Sequence, residues 1–174
     1  MLSVAARRVD NSTTGLAGRG RTARLRGMDD DIPPLLPIHE VPPLRTQADL
    51  HRQWRAMMGP LGFGGRRLWL LFLAPDDRPT EFLMQIDDVP DQPREAELDS
   101  LLRMCREIRT VHHLGRLALL LSRPGEGTVR ASDRRWGRTL LEAGRRADLP
   151  LAPVHLATDD AVVPLTADDL IVAG

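Results

Sequence analysis

Apolar positions change period repeatedly along the chain. Thr46 can cap a helix running to about Met58, because Leu50, Trp54, Met57 and Met58 fall on one helical face and Gly59 and Pro60 end the pattern. The loop GPLGFGGRR leads into RLWLLFLA, a continuous apolar run of strand length that predicts a buried strand. Turn chemistry at 75–79 (Pro-Asp-Asp-Arg-Pro) is followed by Phe82, Met84 and Ile86 in alternation, which predicts a one-faced strand pairing with the first as a hairpin. Pro93 opens a helix in which Leu98, Leu101, Leu102, Cys105 and Ile108 recur at helical spacing as far as Val111. An uninterrupted third strand at 117–121 is expected to be central. The loop RPGEGTVRA and a cap from Ser132 with Asp133 precede a helix whose inner face is Trp136, Leu140, Leu141, Gly144 and Ala147. A fourth strand is expected over 151–157, a turn at 158–160 and a short fifth strand at 162–165, after which 166–169 opens a last helical turn. The order is therefore α-β-β-α-β-α-β-β, an α/β layer structure with a mixed sheet and flanking helices. Trp54 and Trp136 are expected in its core.

The two segments ahead of this pattern differ from it and from each other. Residues 1–27 hold six arginines against one aspartate, with Ser, Thr and Gly between them and no sustained period, so a disordered, Arg-rich extension is expected. No apolar core follows Arg7 and Arg8, which argues against a secretory signal, although the arginine-rich, acid-poor composition resembles a transit peptide. Translation is expected to begin at Met28. Residues 28–45 carry five prolines in MDDDIPPLLPIHEVPP, which forbid a regular helix and predict an extended leader or strap. Residues 46–174 are then a single domain. With 174 residues and 42% hydrophobic composition, the chain is long enough for one core of ordinary size.

Charge and cysteine content narrow the partners. The formal net charge is zero, so a basic first segment implies an acidic body, which offers no basic stripe for nucleic acid. All 24 basic residues are arginine and tyrosine is absent, a composition that suggests a GC-rich genome more than an activity. No apolar run approaches the ~20 residues of a membrane-spanning helix. The one cysteine, Cys105, cannot form an internal disulfide and lies on the apolar face of its helix; a core thiol in a reducing, cytoplasmic compartment is expected.

Several possible sites fail on their own chemistry. His39-Glu40 opens a metalloprotease-like His-Glu-x-x-His, but Pro42 and Pro43 stand where the helix and second histidine belong. The glycine-rich loop at 59–65 precedes a strand rather than a helix, so it lacks the aligned N–H groups of a phosphate loop. Asp87, Asp88 and Asp91 fit a solvated acidic loop better than a cation site. His112 and His113 are sequence neighbours and cannot share a helical face. Ser122 or Ser132 could be imagined as a nucleophile with His155, yet neither sits in a nucleophile-elbow pattern, and loop and cap roles explain them.

The stretch LALLLSRPGEGTVRASDRRWGRTLLEAGRRADLPLAPVHLATDDAVVPLTADDL resembles the carboxy-terminal domain of the RadC family, a branch of the JAMM/MPN metalloprotease-like fold. The likeness follows the order of elements over about 66–170 and is best after Leu117. In that family a His-x-His-Pro loop and a following Ser-x-x-Asp supply two histidines and an aspartate to zinc, and a later strand carries a histidine in an Asp-His pair. Here Pro124 matches the motif proline, which puts the histidine positions on Leu121 and Arg123. Leucine has no donor atom and arginine stays protonated, so neither binds zinc. Asp133 lies near the third ligand's place, with Arg135 closer by spacing, and His155 matches the late histidine with Val154 ahead of it. The resemblance implies a RadC-like domain without the metal site: no metal, no cofactor, and a non-catalytic protein-interaction or regulatory module. A binding rim is expected around Ser122, Arg123, Arg130, Asp133, Arg134, Arg135 and His155, where arginine forks suit a protein partner's carboxylates or an anionic ligand. The alternatives are a nucleic-acid-associated protein, drawing on this arginine cluster, on residues 1–27 as a basic arm and on the family's link to DNA repair, and a hydrolase with an unrecognised site.

Overall fold

The computed structural model describes residues 4–6 and 32–170. Its strands are β1 (Val4–Ala6), β2 (Arg67–Leu73), β3 (Pro79–Ile86), β4 (Leu117–Ser122), β5 (His155–Ala157) and β6 (Val162–Pro164). Its helices are α1 (Gln47–Met58), α2 (Glu95–Val111), α3 (Ala131–Arg146) and the four-residue α4 (Ala167–Leu170). The strands form one mixed sheet in the order β1-β3-β2-β4-β5-β6, in which only β4 and β5 run parallel. The chain is thus α/β, with a five-stranded mixed sheet edged by the short β1. Beyond the eight elements expected stand β1 and a 3-10 turn at Ile38–Glu40, both ahead of the first helix, while α4 is the last helical turn expected from 166. The strand β1 lies inside the segment expected to be disordered; the rest of 1–27 falls outside the described residues.

Sequence chemistry sets the element ends. Thr46 caps α1 in a reciprocal box: its hydroxyl accepts from the Asp49 N–H at 3.1 Å, and the Asp49 carboxylate accepts the Thr46 N–H at 2.9 Å. Gly59, at φ +58°, ends the helix in a conformation that a side chain resists. Two boundaries differ from expectation. The N-cap of α3 is Arg130, not Ser132, because Asp133 sits at the third helical position and its carboxylate reaches back to accept the Arg130 N–H at 2.9 Å. The strand expected over 151–157 shrinks to three residues. Pro150 and Pro153 lack the N–H that a ladder needs, leaving Leu151 in a lone bridge with Leu117.

β4 is central, between β2 and β5, and all six of its residues are buried. Its pleat divides the interior in two. Leu117, Leu119 and Leu121 join Leu98, Leu102 and Cys105 of α2 and Trp136, Leu140 and Ala143 of α3. Ala118 and Leu120 point the other way, to Leu50 and Trp54 of α1 and to Val41 and Leu44 of the strap. Trp54 and Trp136 both enter the core, in agreement with their spacing. Among the described residues no helix is long and apolar enough to cross a membrane.

Candidate functional site

The sheet separates the residues expected to form one rim. Register pairs Leu120 with His155, Leu121 with Leu156 and Ser122 with Ala157. Since successive side chains alternate, His155 and Ser122 share the α1 face with Leu120. Arg123 and Asp133 meet on the opposite face, where α2 and α3 pack. Ser122, Arg123, Asp133 and His155 are all buried, Arg123 at 1% exposure. Arg130 and Arg135 are exposed and Arg134 is half-buried, so the exposed part of the expected rim is the first turn of α3.

Arg123 is the centre of the α2–α3 side. Its Nε and Nη2 donate to the Asp133 carboxylate at 3.0 and 2.8 Å, in the two-pronged geometry that guanidinium and carboxylate favour. Its other protons go to the carbonyls of Pro124 (3.1 Å), Glu126 (3.2 Å) and Thr128 (2.8 Å). All five N–H donors of the guanidinium are therefore engaged. The loop after β4 is wound around this one side chain and closes it from solvent. Asp133 also accepts from Arg66 Nη1 at 3.1 Å, and Arg66 Nη2 in turn donates to Asp91 at 3.1 Å and to the Ser132 hydroxyl at 3.3 Å. Asp133 is the buried counter-charge of this network, to Arg123 and to the largely buried Arg66 head group, while Asp91, 84% exposed, meets Arg66 at its solvent edge. Burial acts to raise the Asp133 pKa, but the hydrogen bonds from Arg123 and the Arg130 N–H and the charges of Arg123 and Arg66 outweigh it, holding the carboxyl below the usual range.

The α1 side is quieter. The Ser122 hydroxyl accepts from Trp69 Nε1 at 3.0 Å. His155 Nδ1 lies 3.0 Å from the Pro153 carbonyl and is assigned as its donor, while Nε2 is buried without a partner among the described residues. Burial lowers the His155 pKa to about 4, against the opposing pull of the Pro153 carbonyl, and nearby His51 lowers it further. A neutral imidazole and a serine occupied by an indole, both shut away from solvent, do not make a nucleophilic pair.

Other candidates resolve into structural roles. The glycine-rich loop gives its Phe63 N–H to the Asp159 carboxylate at 2.8 Å, and Gly125 N–H reaches the same carboxylate at 2.6 Å, so an aspartate ties two loops together. Asp87 pairs with Arg67 at 2.7 Å and Asp91 with Arg66. His112 lies against Phe82, with ring centroids 4.6 Å apart. Cys105 is fully buried, and burial pushes its thiol up to about 12. Among the described residues no three His, Cys, Asp or Glu side chains come together as a metal site would need. Sequence reading missed Arg66, for which an arginine at the mouth of a buried strand, in GGRRLW, is the available signal, and read Asp91 as part of a solvated acidic loop without its bond to Arg66. No protein-family model matches the chain, and no curated protein sequence matches it significantly.

Proposed function

We propose that this chain is a non-catalytic, RadC/MPN-like domain that works by binding, as a protein-interaction or regulatory module of the cytoplasm. The observation that supports this is the closed Arg123–Asp133 centre. On the RadC-like correspondence, a guanidinium holds the aspartate and shapes the loop where that family places a metal, so organisation is kept and reactivity is not. The binding face is the start of α3, where Arg130 and Arg135 are exposed beside half-buried Arg134 and present cationic forks to carboxylates of a protein partner. A reducing compartment agrees with one buried free thiol.

The test joins two measurements on the full chain. After dialysis without chelator, elemental mass spectrometry is expected to find no stoichiometric metal; stoichiometric zinc overturns the reading. Partners captured by the tagged chain in its native host should be lost from an Arg130→Glu/Arg134→Glu/Arg135→Glu variant, and equal capture by both forms removes the arginine face from the proposal. A second reading, nucleic-acid association, draws on the five arginines of α3. It requires a gel shift whose affinity falls as salt rises.

A further inference from the structure

The proline-rich strap ahead of α1 has two halves with opposite properties. Its second half is fixed: Val41 and Leu44 are buried, Arg78 Nη1 donates to the Val41 carbonyl at 3.0 Å, and Arg116 Nη2 to the Leu44 carbonyl at 2.8 Å. The Leu44 N–H completes the anchor on the Asp77 carbonyl at 2.8 Å. Residues 32–37, with sequence IPPLLP, are held by none of this. Among the described residues no backbone hydrogen bond ties 32–36 to the domain. Pro34, Leu35 and Leu36 form an exposed ridge, and Leu35 at 54% and Leu36 at 41% are among the few large apolar side chains left in solvent. Pro37, at φ −53° and ψ 141°, lies in the polyproline II region, close to the conformation to which prolines 33 and 34 bias their neighbours.

A polyproline II segment repeats every three residues, so Pro34 and Pro37 lie on one side of it and Pro33 and Leu36 on another. Among the described residues the carbonyls of 32–36 have no backbone partner, whereas that of Pro37 accepts the Glu40 N–H at 2.8 Å. Such a ridge is read by slots between aromatic rings that take the prolines and by indole or phenol donors that take the carbonyls, with little ordering entropy left to lose. Charge narrows the reader further: Asp29, Asp30 and Asp31 precede the ridge and Glu40 follows it, with no arginine between Asp29 and Arg45. We propose that residues 32–37 are a docking peptide displayed by this domain for a protein whose groove is lined with aromatic side chains and rimmed by basic ones. The assignment does not rest on the arginine face of α3, which uses different residues.

The experiment titrates the full chain into a set of purified proline-recognition domains of the SH3, WW and EVH1 types, chosen with basic or acidic groove rims, and follows quenching of the groove tryptophan. Binding to basic-rimmed members in the micromolar range is expected. A Pro34→Ala/Pro37→Ala variant should weaken it by about tenfold or more with thermal stability kept, since Pro34 is exposed and the bond of Pro37 to the Glu40 N–H uses a carbonyl that alanine also has. The Arg130→Glu/Arg134→Glu/Arg135→Glu variant should bind these domains as wild type does, which separates this interaction from the one proposed above. Absence of binding to every basic-rimmed domain overturns the proposal. So does binding that survives the double proline substitution, or that is equal for basic and acidic rims.

Discussion

Asp133 shows how far a single residue can set its surroundings. It caps α3 through the Arg130 N–H, neutralises Arg123 and receives Arg66, so its loss leaves a buried guanidinium without a counter-charge. Asp133→Asn should cost ~3–5 kcal/mol in equilibrium denaturation, the range for breaking a buried pair from one side. A cost under about 1 kcal/mol would place that pair among surface ion pairs. His155 adds to the acid sensitivity in the range below pH 6.5, above the range in which carboxylates with lowered pKa such as Asp133 take their part. Its folded pKa of about 4 lies below the ordinary value of 6.5, so the folded state binds this proton less readily than the unfolded one. Its contribution is present above pH 6.5 and is lost as pH falls from there towards 4. By linkage the loss is about 3 kcal/mol. In His155→Gln the fall in unfolding free energy between pH 7 and pH 4 should be smaller by roughly that amount, and an unchanged slope would show that other groups carry it. The Cys105 thiol, buried and raised to about 12, should react with a disulfide reagent only at the rate of global unfolding.

At the scale of elements, periodicity locates the helices and strands well, because each buries one stripe or one face and that stripe is written in residue spacing. Leu50 and Trp54 fix the inner face of α1, and Leu98, Leu101, Leu102 and Cys105 that of α2. Pairwise chemistry is harder to read. Serine is a good cap and Ser132 stands near the start of α3, yet a carboxylate three residues beyond the cap position does that work from the other direction. Pro150 and Pro153 flank and interrupt an apolar run that the missing N–H groups cut to three paired residues. One glycine is dictated by contact between elements: a Cβ on Gly115 would stand 2.5 Å from the Ala74 carbonyl oxygen. That oxygen belongs to the turn joining β2 and β3, which has to shift if a side chain enters. Gly115→Ala should therefore destabilise by ~1–3 kcal/mol in chemical denaturation, the cost of overpacking, while Gly64→Ala, which meets nothing within 4 Å, should stay near wild type.

For the whole molecule, the order of apolar stripes is enough to give an α/β sheet with a central, fully buried β4. Composition and spacing also place Trp54, Trp136 and Cys105 inside, since long-range packing only has to satisfy faces already marked in the chain. The proline strap is legible for the same reason: proline restricts the backbone locally, whatever surrounds it. What the tertiary structure alone decides is which polar residues meet. Arg123 and His155 look alike from sequence, two polar residues beside an apolar strand, but the register of β4 with β5 sends them to opposite sides of the sheet. Arg66 reaches Asp133 across 67 positions of sequence and Asp91 across 25, so no local pattern announces that cluster. Hydrophobic periodicity is a local code because helix and strand geometry is local, whereas the pairing of charges depends on strand register and loop path, which are fixed only when the layers close.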